Sequence, residues 1–140
     1  MNKEEKAYIA GFIDGEGCIT FIKHMKRDDI SWEPKLEITN TDKNVLEWIA
    51  EKIPESSLYY QEEDRNEIWK TRHYLRINKR KDLLSILKNV EPYLIVKSEQ
   101  AKLMIEFLEN RKPHKSYTER EIEIAENVRT LNRKGYNANN

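Results

Sequence analysis

The chain has 140 residues, of which 38% are hydrophobic and 36% are charged, a composition typical of one soluble globular domain. Its uncharged stretches are too short to cross a bilayer, and its first residues lack the order of a signal peptide. We therefore expect an intracellular protein of the cytoplasm or an organelle matrix, without a membrane partner. The single cysteine, Cys18, excludes an intramolecular disulfide framework and a multi-cysteine zinc site.

The charges balance in number but not in position. Twenty-five Lys and Arg residues offset twenty-five Asp and Glu residues, so the net charge alone does not favour a nucleic-acid partner. Residues 65–81, however, contain seven basic side chains and one acidic side chain. A basic surface on a neutral molecule indicates an anionic partner.

The first half of the chain predicts a helix, a hairpin and a second helix. Residues 3–14 form the first helix, because Asn2 can cap it and apolar residues recur in it at helical spacing. Alternating segments at 18–24 and 34–39 then predict two strands joined by a polar turn. A helix over 42–53 follows, with Thr41 or Asn40 as its cap.

The second half begins with another hairpin, whose predicted strands are 57–61 and 68–78 around a charged turn at 62–66. Two helices follow over 81–90 and 97–109.

A final helix is predicted over 119–132, preceded by two candidate capping boxes. These boxes are Ser116 with Glu119 and Thr118 with Glu121.

The element order α-ββ-α-ββ-α-α-α predicts an α+β fold, with helices on one face of an antiparallel sheet. We expect one domain over residues 1–140, with a core at about 3–110, a C-terminal helix at about 117–132 and a tail at 133–140.

The other face of this sheet is predicted to be open, and strand alternation places basic, aromatic and amide side chains on it. Such side chains reach phosphates and base edges from a β-ribbon in a major groove, although an ordinary solvated sheet face explains them as well. Together with basic residues of the two turns, the predicted DNA contacts are Thr20, Ile22, His24, Lys26, Arg27, Lys35, Glu37, Tyr59, Gln61, Arg65, Lys70, Arg72, Tyr74, Arg76 and Asn78. Glu37 could accept from a cytosine amino group or repel wrong sequences at the groove edge.

The first helix contains an unexpected glycine. Gly11 costs about 1 kcal/mol relative to alanine inside a helix, which suggests close approach of another helix. An ordinary core helix with a glycine stop is the alternative. That alternative leaves Glu16, a carboxylate between two glycines, without a role.

Residues 9–17, Ile-Ala-Gly-Phe-Ile-Asp-Gly-Glu-Gly, resemble the signature of the LAGLIDADG homing endonucleases. The replacements keep the chemistry at each place, and the element order matches the αββαββα order of that family. The resemblance implies a homodimer of the single-motif type, with signature helices packed across a two-fold axis through Ala7, Ala10, Gly11 and Asp14. Asp14 is expected to make helix-end hydrogen bonds across this dimer. The two sheets would form one saddle over a long, nearly palindromic DNA duplex.

The same resemblance implies a catalytic centre at the two-fold axis. Glu16 from each subunit, with the Gly15 carbonyl, would bind Mg²⁺ at the scissile phosphates, and hydrolysis of both strands would leave short 3′ overhangs. Asn40 would position waters and Lys97 would offset charge near the attacked phosphate. For Asn40, the sequence alone supports a helix-capping role at least as well as a catalytic one.

Two other functions on the same fold remain open. One is an RNA maturase that binds an intron RNA, and the other is a DNA-binding regulator without nuclease activity. The intact Gly15-Glu16-Gly17 sequence favours the endonuclease, because a non-catalytic protein has no reason to keep a carboxylate at a two-fold axis. No catalytic role is expected for His24 or His73.

Overall fold

The computed structural model describes residues 1–53, 57–61 and 72–137, with residues 57–61 and 134–137 described by their backbone only. The predicted turn at 62–66, with Arg65, and the predicted start of the fourth strand, with Lys70, lie outside the described residues. The elements in chain order are α1 (Lys3–Glu16), β1 (Gly17–Lys26), β2 (Asp29–Asn40), α2 (Lys43–Lys52), β3 (Ser57–Gln61), β4 (Arg72–Ile77), α3 (Arg80–Val90), a 3-10 helix (Glu91–Tyr93), α4 (Ser98–Asn110) and α5 (Glu119–Asn137).

The described strands form one antiparallel sheet in the order β1-β2-β4-β3. The central strands, β2 and β4, therefore come from different hairpins. The α+β fold predicted from the element order is confirmed, and the helices cover one face of the sheet.

The core lies between that face and the helices. Its sheet side includes the buried residues that strand alternation assigns inward, namely Ile19, Phe21, Leu36, Ile38, Leu75 and Ile77, and also Trp32 of β2. Its helix side includes Ile9 and Ile13 of α1 and apolar residues of α2 to α5. Burial of these side chains provides the main favourable free energy of folding. It also anchors α1 against the rest of the domain.

The first hairpin is longer than predicted. Its strands pair through to Lys26 and Asp29, so that only residues 27 and 28 form the turn. Arg27 adopts a positive φ of 55°, which this tight turn requires. Arginine is an uncommon residue in that conformation, and the polar segment was therefore predicted as a longer loop.

The cap of α2 also differs from the prediction of Thr41 or Asn40. Asp42 is the N-cap, and its carboxylate accepts hydrogen bonds from the backbone N–H groups of Asn44 at 2.9 Å and Val45 at 3.4 Å. The Asn40 side chain accepts instead from the Asp42 backbone N–H at 2.7 Å. Asn40 thus shapes the turn before the helix.

The C-terminal helix is capped at its start and is bonded to the sheet farther along. The capping box of Thr118 with Glu121 is present, with bonds of 2.9 and 3.1 Å between side chains and backbone N–H groups. Farther along α5, the Asn132 side chain donates to the Ile19 carbonyl of β1 at 3.0 Å. In the part of the chain that the structure describes, no helix has the length and apolar character needed to span a membrane.

Candidate functional site

The end of α1 presents Glu16 to solvent. Glu16 is the last helical residue, it is exposed, and its carboxylate makes no hydrogen bond or ion pair with the described residues. Gly17 follows in a space where a Cβ atom would lie 2.9 Å from the Ile13 carbonyl oxygen. Glycine is therefore required for the immediate change from helix to strand, and this change leaves the Glu16 side chain at the surface.

Asp14 holds this helix end in place. Its carboxylate accepts three backbone N–H groups, from Ile95 at 2.8 Å, Val96 at 3.2 Å and Lys97 at 3.0 Å. These bonds lie within one chain, and the expected hydrogen bonds of Asp14 across a dimer stay a prediction. A carboxylate that satisfies three neighbouring donors fixes the segment before α4 against α1.

Lys97 is brought to the same helix end. Its ammonium donates to the Asp14 backbone carbonyl at 2.6 Å, and the side chain is partly buried. The last turn of α1 contains no basic residue of its own. Lys97 therefore supplies a positive charge where the helix dipole is negative, two residues before Glu16.

Asn40 lies at the end of β2, on the strand that pairs with the start of β1. Gly17 pairs with Ile38, so the last residues of β2 extend past the start of β1 towards the end of α1. The carbonyl of the Asn40 side chain is used by Asp42, whereas the amide group makes no hydrogen bond within the described residues. The amide remains available as a donor.

The described residues of one chain contain no cluster of three acidic, histidine or cysteine side chains that could hold a metal ion. The oxygen ligands that the end of α1 offers are the Glu16 carboxylate and the backbone carbonyl of Gly15, in the last helical turn. These are hard ligands of the type that Mg²⁺ prefers. The donor set fits the ion in kind, but one chain supplies only one carboxylate.

The exposed side of α1 has small residues at every turn. Ala7, Gly11 and Gly15 are exposed, and a Cβ atom at either glycine would meet nothing within 4 Å. Nothing in the described chain therefore requires glycine at position 11. Ala10, which was predicted on the same surface, is fully buried in the core of its own chain, and that prediction is wrong. Its position in the helix turns it towards the sheet with Ile9 and Ile13.

Two apolar residues beside this stripe were not predicted from the sequence. Ile95 is 87% exposed and Val96 is 68% exposed, and the Asp14 carboxylate fixes the backbone of both. With Tyr8, which is 53% exposed on α1, they extend the small-residue stripe into an apolar surface. The sequence signal for this surface was the pair of adjacent β-branched residues, which do not belong to the apolar pattern of any predicted helix.

The open face of the sheet contains the predicted DNA contacts that the structure describes with side chains. Cross-strand pairs place Thr20 opposite Lys35, Glu37 opposite Arg76 and Thr39 opposite Tyr74. Side chains that are directly opposite in an antiparallel pair lie on the same face. The other described members of the predicted set are Ile22, His24, Lys26, Arg27, Arg72 and Asn78, and the side chains of Tyr59 and Gln61 lie outside the described residues.

Glutamates partly neutralise this face. Glu37 forms an ion pair with Arg76 at 2.7 Å and with Lys35 at 3.4 Å. Near the hairpin turn, Glu33 lies 3.3 Å from the His24 ring and accepts from the Asn78 amide at 3.5 Å. Each glutamate is therefore held by two donors of the same face.

A family model described as LAGLIDADG endonuclease matches residues 9–98, which include the second half of α1, the sheet and Lys97. The chain belongs to the LAGLIDADG endonuclease family. Among curated proteins, it is 27% identical to the DNA endonuclease I-CreI of Chlamydomonas reinhardtii over 124 residues, or 88% of this chain and 74% of that protein.

Solved structures of other LAGLIDADG endonucleases share the fold. The homing endonuclease I-CvuI, in complex with the I-CreI target, gives a TM-score of 0.74 at 22% identity, over 92% of this chain and 82% of that chain. The archaeal intron-encoded homing endonuclease I-Vdi141I, in complex with DNA, gives 0.63 at 17% identity, over 92% of this chain and 97% of that chain. In both comparisons the shared fold extends over 92% of this chain.

Proposed function

We propose that this chain is a homing endonuclease that cuts both strands of one long, nearly palindromic DNA site as a homodimer. The observation that carries the proposal is the exposed, unpaired Glu16 at the C-terminal end of α1. A carboxylate at this end of a helix opposes the helix dipole and costs about 0.3–1 kcal/mol. Such a placement needs a function, and binding a cation at the phosphates of DNA supplies one.

The homodimer is supported by the exposed stripe of small residues on α1. It is also supported by the number of metal ligands, because one chain supplies only one carboxylate. Ala7, Gly11 and Gly15 allow a second helix to approach the backbone closely, and Ile95 and Val96 provide apolar area beside them. A two-fold axis along this stripe would bring two Glu16 side chains together. Two like carboxylates at short distance repel each other, and bound cations would offset this repulsion, which would couple the metal site to the dimer.

Each residue at the end of α1 has a proposed task. Glu16 and the Gly15 carbonyl would hold Mg²⁺, which supplies an activated water and stabilises negative charge on the phosphate oxygens. The free amide of Asn40 would donate to water in the site. The Lys97 ammonium, fixed by the Asp14 carbonyl, would offset charge at the attacked phosphate.

The open face of the sheet would lie in the major groove of each half-site. Its basic and amide side chains are suited to phosphates and base edges, and the two sheets of a dimer would together form a saddle. I-CvuI has been solved with its target in the presence of Ca²⁺ and with the I-CreI target, not cleaved, in the presence of Mg²⁺. These relatives support a duplex DNA substrate and a divalent cation.

The test is a cleavage selection with purified protein. A randomised duplex library is incubated in Mg²⁺ and, separately, in EDTA, and the cut ends are sequenced. We expect Mg²⁺-dependent cuts with short 3′ overhangs in one long, nearly palindromic site. If no duplex is cut, retention of duplex and of structured RNA by the protein is measured instead. Selective retention of duplex would replace this proposal with the DNA-binding regulator, and selective retention of a structured RNA would replace it with the maturase.

A further inference from the structure

Glu37 and Arg76 form a pair whose geometry assigns a separate role to each. They are directly opposite on β2 and β4. The Arg76 Nε atom donates to Glu37 Oε2 at 2.8 Å, and an Nη atom lies 2.7 Å from the same oxygen. The carboxylate thus holds one side of the guanidinium group. The opposite edge of the guanidinium group, between its two Nη atoms, keeps one free N–H on each of these nitrogens. These two N–H groups form a fork that binds two acceptors in one plane.

The two side chains of this pair lie at different depths. The Glu37 side chain is 18% exposed and the Arg76 side chain is 40% exposed, so the arginine lies outside the glutamate. Lys35 also contacts Glu37 Oε2, at 3.4 Å, and is itself only 15% exposed. Two cations therefore engage this oxygen from the same face, which favours a role for Glu37 in holding these cations over contact with a cytosine amino group.

We propose that Glu37 is a positioning residue and that Arg76 reads one guanine in each half-site. This inference rests on the proposed function, because it requires the sheet to lie in the major groove. Guanine presents N7 and O6 as two acceptors on its major-groove edge, and a guanidinium fork matches them. The fixed carboxylate reduces the freedom of the long side chain before DNA binds, so that less ordering accompanies recognition. Because Lys35 is also present, the cluster of Glu37, Arg76 and Lys35 has a net positive charge.

The experiment is a binding selection on the full-length protein in Ca²⁺, with the randomised duplex library. We expect wild type to prefer guanine at one symmetric position by about 5- to 150-fold, the range for a bidentate contact. Arg76→Ala should lose that preference. Arg76→Lys should lose it too, although it keeps the charge, because an ammonium group has no fork.

Glu37→Gln tests the positioning role, and Glu33→Gln is its matched control. Both changes remove one negative charge from the same strand and face, and both residues are held by two donors. Glu37→Gln should lower the guanine preference at the Arg76 position by at least about threefold, within the range that the contact provides. Glu33→Gln should leave the preference at that position unchanged.

The outcomes separate this inference from the proposed function. If wild type selects a duplex but Arg76→Ala keeps the same base preferences, the readout by Arg76 is wrong while the endonuclease stands. If Glu37→Gln discriminates as well as wild type, or if Glu33→Gln lowers discrimination equally, the positioning role is wrong. If wild type selects no duplex at all, the proposed function fails and the inference fails with it.

Discussion

Replacing Asp14 with asparagine tests how the segment that carries Lys97 is fixed to α1. The carboxylate accepts three backbone N–H groups, one through Oδ2 at 2.8 Å and two through Oδ1 at 3.2 and 3.0 Å. Asparagine has one acceptor oxygen, so its amide N–H must face at least one backbone N–H. Hydrogen bonds to charged groups contribute about 1.5–3 kcal/mol each. Because Asp14 is only partly buried, hydrogen bonds to water can replace part of this contribution. We therefore expect the free energy of unfolding to fall by about 2 kcal/mol.

The free energy of unfolding should be measured by urea denaturation at one fixed protein concentration, since dimerisation would otherwise change the apparent stability. Asp28→Asn, in the exposed turn of the first hairpin, is the control and should change stability by less than about 0.5 kcal/mol. If Asp14→Asn changes stability as little as the control does, the three hydrogen bonds do not hold the segment, and the account of the helix end is wrong.

Two further predictions concern the dimer and the pH dependence of stability. Gly11→Leu should abolish dimerisation, measured by sedimentation, while the monomer stays folded, because a Cβ atom at Gly11 meets nothing in its own chain; a dimer of unchanged affinity would refute the interface. The hydrogen bond from Arg120 holds the pKa of Glu106 below its ordinary value of 4.5. This pair therefore stabilises the protein above about pH 4.5 and is lost as the pH falls through the lowered pKa. Melting temperatures of Glu106→Gln should fall less steeply below pH 4.5 than those of wild type, and equal slopes would contradict the assignment.

The fold was predictable because it follows from short-range patterns. Apolar residues at helical spacing and strict alternation in the strands assign each element and its buried face, and the buried set of β1, β2 and β4 agrees with that alternation. The element boundaries were less predictable. The hairpin turn at Arg27 uses a positive φ that a glycine or asparagine would have indicated, and an arginine does not.

The site was predictable only in part, because its geometry depends on contacts between distant parts of the sequence. The position of Glu16 at the end of α1 follows from local pattern. The bonds of Asp14 to residues 95–97 join segments more than eighty positions apart, and no periodicity indicates them. Ala10 was assigned to the surface because of its size, yet its helical phase with Ile9 and Ile13 decides its burial. The exposure of Ile95 and Val96 likewise follows from the way Asp14 holds their backbone.

The most direct test of the central claim is the cleavage rate of Glu16→Gln on the selected duplex in Mg²⁺. This change keeps the shape of the side chain and removes the charge that a cation needs. We expect cleavage to fall at least about a hundredfold, the scale for loss of one essential group that stabilises the transition state. Duplex affinity in Ca²⁺ and the dimer should be kept, and Glu126→Gln on α5 should cut like wild type. If Glu16→Gln cuts at the wild-type rate, Glu16 does not hold the catalytic cation and the proposed centre is wrong.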